Sequence, residues 1–136
     1  MSEGDAKKKI DEDLKEFFAI RNIDEGEEYF HLPGEHRHLL VDKLVSKAVE
    51  SKEADAQLVS DLFARAKDKN LCTPEQFEQG FLGIAEFIDD IAIDAPKAWN
   101  FFALMIKGSG LSTDTDRRDR IADKTGDAEK LVGLLA

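Results

Sequence analysis

The sequence predicts an all-α fold, a stack of antiparallel helix pairs with about six to eight helices. Three observations carry that expectation. Apolar residues recur at helical spacing through most of the chain. Val, Ile and Thr are not gathered in alternating runs, and the chain holds only 3 prolines, so nothing argues for a sheet. The breaks between periodic segments are short, which makes consecutive helices antiparallel neighbours. At 136 residues the chain can bury a core without a disulfide or a metal.

Taken in order, Ile10, Leu14, Phe17 and Phe18 share one face of a helix expected over about Ala6 to Ile20. Asn22 to Glu25 reads as a turn. A short helix over about Asp24 to Phe30 is weakened by Gly26. Leu32-Pro33-Gly34 breaks the chain. The next helix, about Glu35 to Ser51, carries Leu40, Leu44, Val45, Ala48 and Val49. Its partner, about Ala54 to Asp68, carries Leu58, Val59, Leu62, Phe63 and Ala66. After a turn at Asn70 to Cys72, Thr73-Pro74-Glu75-Gln76 makes a strong helix start. Thr73 can cap, Pro74 suits the first position and Gln76 can complete a capping box. That helix is expected to reach Ile88, with Phe77, Phe81, Ile84, Ala85 and Ile88 inward. Asp89 to Asp94 reads as a loop. A further helix, about Ala95 to Lys107, presents Trp99, Phe102, Ala103 and Ile106, and Gly108-Ser109-Gly110 ends it. In the tail, Arg117 to Asp123 and Asp127 to Leu135 each have helical character, broken at Gly126. Helix pairs stacked in this way form HEAT-like arrays, although no strict sequence repeat is visible.

The composition, 42% apolar and 35% charged, is that of a globular chain. Nine Phe stand against one Tyr and one Trp, which places most of the aromatic content where it can be buried. Cys72 is the only cysteine and fits a reducing compartment such as the cytosol or nucleus, of which a cytoplasmic location is the one expected. No apolar run approaches the ~20 residues that span a bilayer, and the charged start, Met1 to Lys9, lacks the apolar stretch of a signal peptide. The net charge of −10 disfavours direct nucleic-acid binding. It fits a basic partner, or simply solubility. The charge is localised: Asn70 to Pro96 contains no Lys or Arg but holds Glu75, Glu78, Glu86, Asp89, Asp90 and Asp94. A second acidic stretch runs from Asp24 to Glu28.

Few motifs carry chemistry. His36 and His38 fall on different sides of a helix, with no cysteine near, so surface or partly packed histidines explain the cluster with His31 better than a metal does. Asp114 and Asp116 begin like a calcium loop, but Arg118 and Asp119 occupy positions that would need an oxygen ligand and a glycine. Asp123-Lys124-Thr125-Gly126 matches a phosphorylated motif that requires an α/β domain, here absent. Cys72 has no activating base in sequence. The remaining carboxylates read as solvated. A binding domain is therefore expected rather than an enzyme, with no cofactor and no metal.

The most informative segment is Asp89-Asp90-Ile91-Ala92-Ile93-Asp94-Ala95-Pro96. As an ordinary loop, Asp94 would cap the following helix, Pro96 would sit in its first turn, and Ile91 and Ile93 would tuck inward. Asp89 and Asp90 would then lie at a helix end whose dipole opposes them. Such an uncompensated local penalty points to function, and exposed carboxylates suit arginines on a partner.

The stretch from Asp90 to Pro96 also resembles the signature of the MA-3 domain family, in which two acids flank a short apolar loop before a proline that opens a helix. The resemblance includes Leu39 to Ser51, the capped Thr73-Pro74-Glu75-Gln76-Phe77 start and Gln79-Gly80-Phe81. Lys9-Ile10-Asp11-Glu12-Asp13-Leu14-Lys15-Glu16-Phe17-Phe18 and Trp99 look most like the domain of eukaryotic translation initiation factor 4G, and the family also includes programmed cell death protein 4. The resemblance implies a HEAT-like domain that catalyses nothing itself and binds initiation factor 4A, a DEAD-box RNA helicase.

 It implies partner contacts through Asp90 and Asp94, with Pro96 shaping the loop. Asp89 is adjacent and has no family role of its own. In a factor 4G setting the domain would assist or regulate the helicase, and in a cell-death-protein setting it would inhibit it. A structural adaptor for another partner, such as a splicing factor, keeps the fold and discards the helicase. The expected organisation is a flexible charged leader over 1–8, the MA-3-like domain over 9–111, and a helical extension over 112–136 that is packed or mobile. With no heptad seam and no long apolar stripe, a monomer is expected.

Overall fold

The computed structural model describes residues 1–136 and contains nine α-helices and no strand. They are α1 (Glu3–Ile20), α2 (Ile23–Glu28), α3 (Arg37–Val49), α4 (Glu53–Asp68), α5 (Pro74–Ala85), α6 (Ile88–Asp94), α7 (Ala98–Ser109), α8 (Thr115–Lys124) and α9 (Ala128–Leu135). The all-α class and the packing of helical hairpins follow the sequence expectation. The helix beyond the expected number is α6, which occupies the segment expected to be a loop.

Short links join α3 to α4 and α4 to α5, and the main packing runs between hairpins, α3 along α5 and α4 along α7. Two glycines permit that approach. A Cβ on Gly80 of α5 would lie 2.5 Å from Cγ1 of Val41 on α3, and one on Gly108 of α7 would overlap the Ser60 backbone carbonyl on α4. Gly108 thus lies inside α7, where the sequence suggested a helix end. Between the layers, Phe63 meets Phe77 and Phe81 edge-on with centroids 5.2 and 5.9 Å apart, and Phe81 meets Phe102 at 5.9 Å. These aromatic contacts join α4, α5 and α7 into one core.

The expected flexible leader is instead helical from Glu3. The Ser2 hydroxyl accepts from the Asp5 amide at 3.1 Å and caps α1, and Ala6 is fully buried. Gly26 does not weaken α2 without compensation. Its Cβ would come 2.8 Å from Cδ1 of Leu62 and 3.0 Å from the Phe17 ring, so the missing side chain lets α2 lie close against α4. The extension is packed: α8 lies on α5 and α9 on α7, with Ile121 and Leu131 fully buried. Lys130 of α9 sits 4.7 Å from the Trp99 ring centroid on α7.

Candidate functional site

The acidic segment is built by two local events. Helix α5 stops at Ala85, the chain turns through Glu86 and Phe87, and a new helix starts at Ile88. Pro96 then disfavours helical backbone at the residue before it. Ala95 accordingly leaves the helical region (φ −124°, ψ 84°), and α6 ends at Asp94. Ile88 is fully buried, and Ile91, Ala92 and Ala95 pack on the core, which turns the other face of α6 to solvent.

Several expectations for this segment are corrected. Asp89 and Asp90 stand in the first turn of α6, where the helix dipole favours them, because the break at Glu86–Phe87 places them after a helix end. Asp94 does not cap the next helix. Helix α7 has Lys97 at its N-cap with no side-chain cap, and Asp94 is the last residue of α6. Pro96 lies in the link before α7, outside its first turn. Ile91 packs inward, but Ile93 is 77% exposed. Once the segment is helical, a face that buries Ile88, Ile91 and Ala92 leaves position 93 outside.

Ion pairing distinguishes the acidic regions. Asp24 and Glu27 are engaged by Arg65, both at 2.7 Å, and Lys69 lies 2.9 Å from Glu27. These contacts, led by the Arg65 hydrogen bond, hold the Glu27 carboxyl below its ordinary range. Glu78 is buried and receives Arg117 at 2.7 Å and Arg120 at 2.8 Å, both from α8. The Arg120 hydrogen bond is the main cause of its lowered pKa, with Arg117 adding to it against the opposing effect of burial. This link between α5 and the extension was not visible in sequence, since the residues are about forty positions apart. By contrast, Asp89, Asp90 and Asp94 are exposed and pair with no cation in the chain. Asp90 and Asp94, one helical turn apart, share a face.

The other motifs find structural roles. Asp114 caps α8 by accepting from the Arg117 amide at 3.3 Å, and the Thr125 hydroxyl donates to the Ala122 carbonyl. His36 is buried with Nε2 3.0 Å from the Met1 carbonyl oxygen, whereas His31 is exposed beside Glu28. Burial pushes the Cys72 thiol up to about 12, which keeps it protonated and unreactive. No set of three or more His, Cys, Asp or Glu residues is grouped to hold a metal, and no helix is long and apolar enough to cross a membrane. Shallow grooves are the only concavities near α6. One is lined by Glu50, Glu53, Asp94, Pro96, Lys97 and Phe101.

The family model for the MA3 domain matches residues 6–112, which includes all of α6 and its flanking turns. The chain belongs to the MA3 domain family. It is 34% identical over 106 residues to MA3 domain-containing translation regulatory factor 1 of Arabidopsis thaliana, covering 72% of this chain and 14% of that protein. It is 31% identical over 110 residues to factor 3 of that series, covering 75% and 15%. Its identity to factor 4 is 28% over 137 residues, covering 93% and 20%. The chain thus spans a fifth or less of the length of these curated relatives. A match to 93% of this chain must run past residue 112 and so reaches into the extension.

Proposed function

We propose that this MA3 domain is a non-catalytic docking module of a translation regulator. Its partner is the DEAD-box helicase initiation factor 4A, and its docking surface is the exposed face of α6. The observation that carries the reading is the cluster of three exposed aspartates, Asp89, Asp90 and Asp94, on one short helix and without a cationic partner, whereas Glu27 and Glu78 are each held by two cations. The relatives' names as translation regulatory factors support the translational context. The resemblance of Asp90 to Pro96 to the family signature supports the helicase as partner.

On this reading Asp90 and Asp94 each receive an arginine, and the fixed turn at Pro96 sets the angle at which α6 is presented. Docking is steered electrostatically, so affinity falls as salt rises. The test is calorimetric titration of the chain against initiation factor 4A at low and moderate salt, beside an Asp90→Lys, Asp94→Lys variant whose fold is checked by circular dichroism. Breaking a desolvated charge pair costs about 2–5 kcal/mol, so the variant should bind at least about thirtyfold more weakly. Unchanged binding by the folded variant would remove α6 as the site. No binding by the unaltered chain would remove the helicase as partner.

A further inference from the structure

The surface of α6 is not only acidic. Four large apolar side chains are exposed in the chain, Met1, Ile20, Phe87 and Ile93, and two of these flank the aspartates. Seven of the nine phenylalanines are buried and Phe18 is partly buried, but Phe87 is 51% exposed. Ile93 is 77% exposed although Ile88, Ile91 and Ala92 already supply the inward face of α6. Neither residue serves α6 itself. Phe87 holds the N-cap position, where no side chain caps the helix, and a phenyl ring cannot accept from the free amides there. A single exposed apolar residue is ordinary. Here two are interleaved with unpaired acids: Asp89 and Ile93 are one turn apart, as are Asp90 and Asp94, and Phe87 lies one turn before Asp90.

We infer that Phe87 and Ile93 are the apolar anchors of the α6 docking surface, which fits a partner face with an apolar recess rimmed by basic side chains. The inference rests on the docking reading and adds a division of labour to it. The aspartates govern encounter and salt dependence, whereas the two apolar side chains, desolvated on docking, govern how long the complex lasts. The occupant is a protein surface of this mixed chemistry, because a purely ionic partner would leave both side chains in water.

The experiment titrates initiation factor 4A with the unaltered chain and with Phe87→Ser, Ile93→Ser and Asp90→Asn, Asp94→Asn variants across a salt series, with dissociation rates measured in parallel. Ile93→Thr, which keeps the β-branch, guards against a loss of helix in the serine variant. The serine and threonine variants should keep their melting temperature to within a few degrees. Burial of one such side chain corresponds to roughly tenfold or more in affinity. Each serine variant should therefore weaken binding about tenfold, chiefly through faster dissociation, with the salt dependence unchanged. The asparagine variant should flatten the salt dependence. If the unaltered chain binds and the asparagine variant weakens it while Phe87 and Ile93 variants bind as before, the apolar anchors are refuted and the acidic docking site stands. Absence of binding by the unaltered chain overturns both.

Discussion

At the scale of single residues, the structure separates carboxylates that hold the fold from those that face outward. Glu78 is the clearest structural acid, buried on α5 and bound by two arginines of α8. Its pKa is lowered, chiefly by the Arg120 hydrogen bond, so the folded state holds its proton less tightly than the unfolded chain does. The stability it contributes is therefore complete above the ordinary glutamate value of 4.5 and is lost as pH falls through the lowered folded value. Glu78→Gln should destabilise the chain by about 1–2 kcal/mol at neutral pH, the scale of a charged hydrogen bond discounted for the solvent around Arg120. The difference between the two proteins should shrink in acid. Urea unfolding at pH 7 and at pH 3 checks this, and an equal difference at both values would contradict it. Asp55 is held in a similar way. Burial raises its pKa, but the Ser51 hydroxyl and Arg21 together outweigh that effect and lower it.

At the scale of elements, close approach decides what glycine does in a helix. Gly108 and Gly133 both lie in helices, yet a Cβ on Gly108 would overlap Ser60 whereas one on Gly133 would meet nothing within 4 Å. Gly108→Ala should destabilise by about 1–3 kcal/mol, since separating α4 from α7 outweighs the propensity gain. Gly133→Ala should stabilise by roughly 0.5–1 kcal/mol. Denaturant midpoints that moved in the same direction would contradict the packing argument. These glycines also mark where the sequence was legible. The periodic helices with strong caps could be read directly, as at Thr73, whose hydroxyl accepts from the Gln76 amide in the expected capping box. Gly108 read as a terminator because propensity alone does not reveal the neighbour that requires a bare backbone. Helix α6 was missed because its seven residues are too short to show a period, and its two flanking breaks read as the edges of one loop. The identities of Asp90, Asp94 and Pro96 were legible, but the exposure of Ile93 follows only once α6 is a helix, and the pairing of Glu78 depends on residues distant in sequence.

At the scale of the whole molecule, stacked helical hairpins form a packed base that presents α6 at its surface. The extension adds to that base through the Glu78 ion pairs and the Trp99 contact. The Gly126 turn between α8 and α9 comes beside Asp89, with a Cβ there 3.6 Å from the Asp89 carboxylate. The extension therefore borders the proposed docking surface while leaving Asp89, Asp90 and Asp94 exposed. The central claim is that a basic protein partner docks on this surface. Its most direct test is to titrate the isotope-labelled chain with unlabelled initiation factor 4A and follow every backbone amide by nuclear magnetic resonance. The account predicts that the largest changes cluster from Phe87 to Lys97, with the Asp24 to Glu28 stretch, where Asp24 and Glu27 are already paired with Arg65 and Lys69, unperturbed. Changes centred on α1 and α2, with α6 silent, would contradict it.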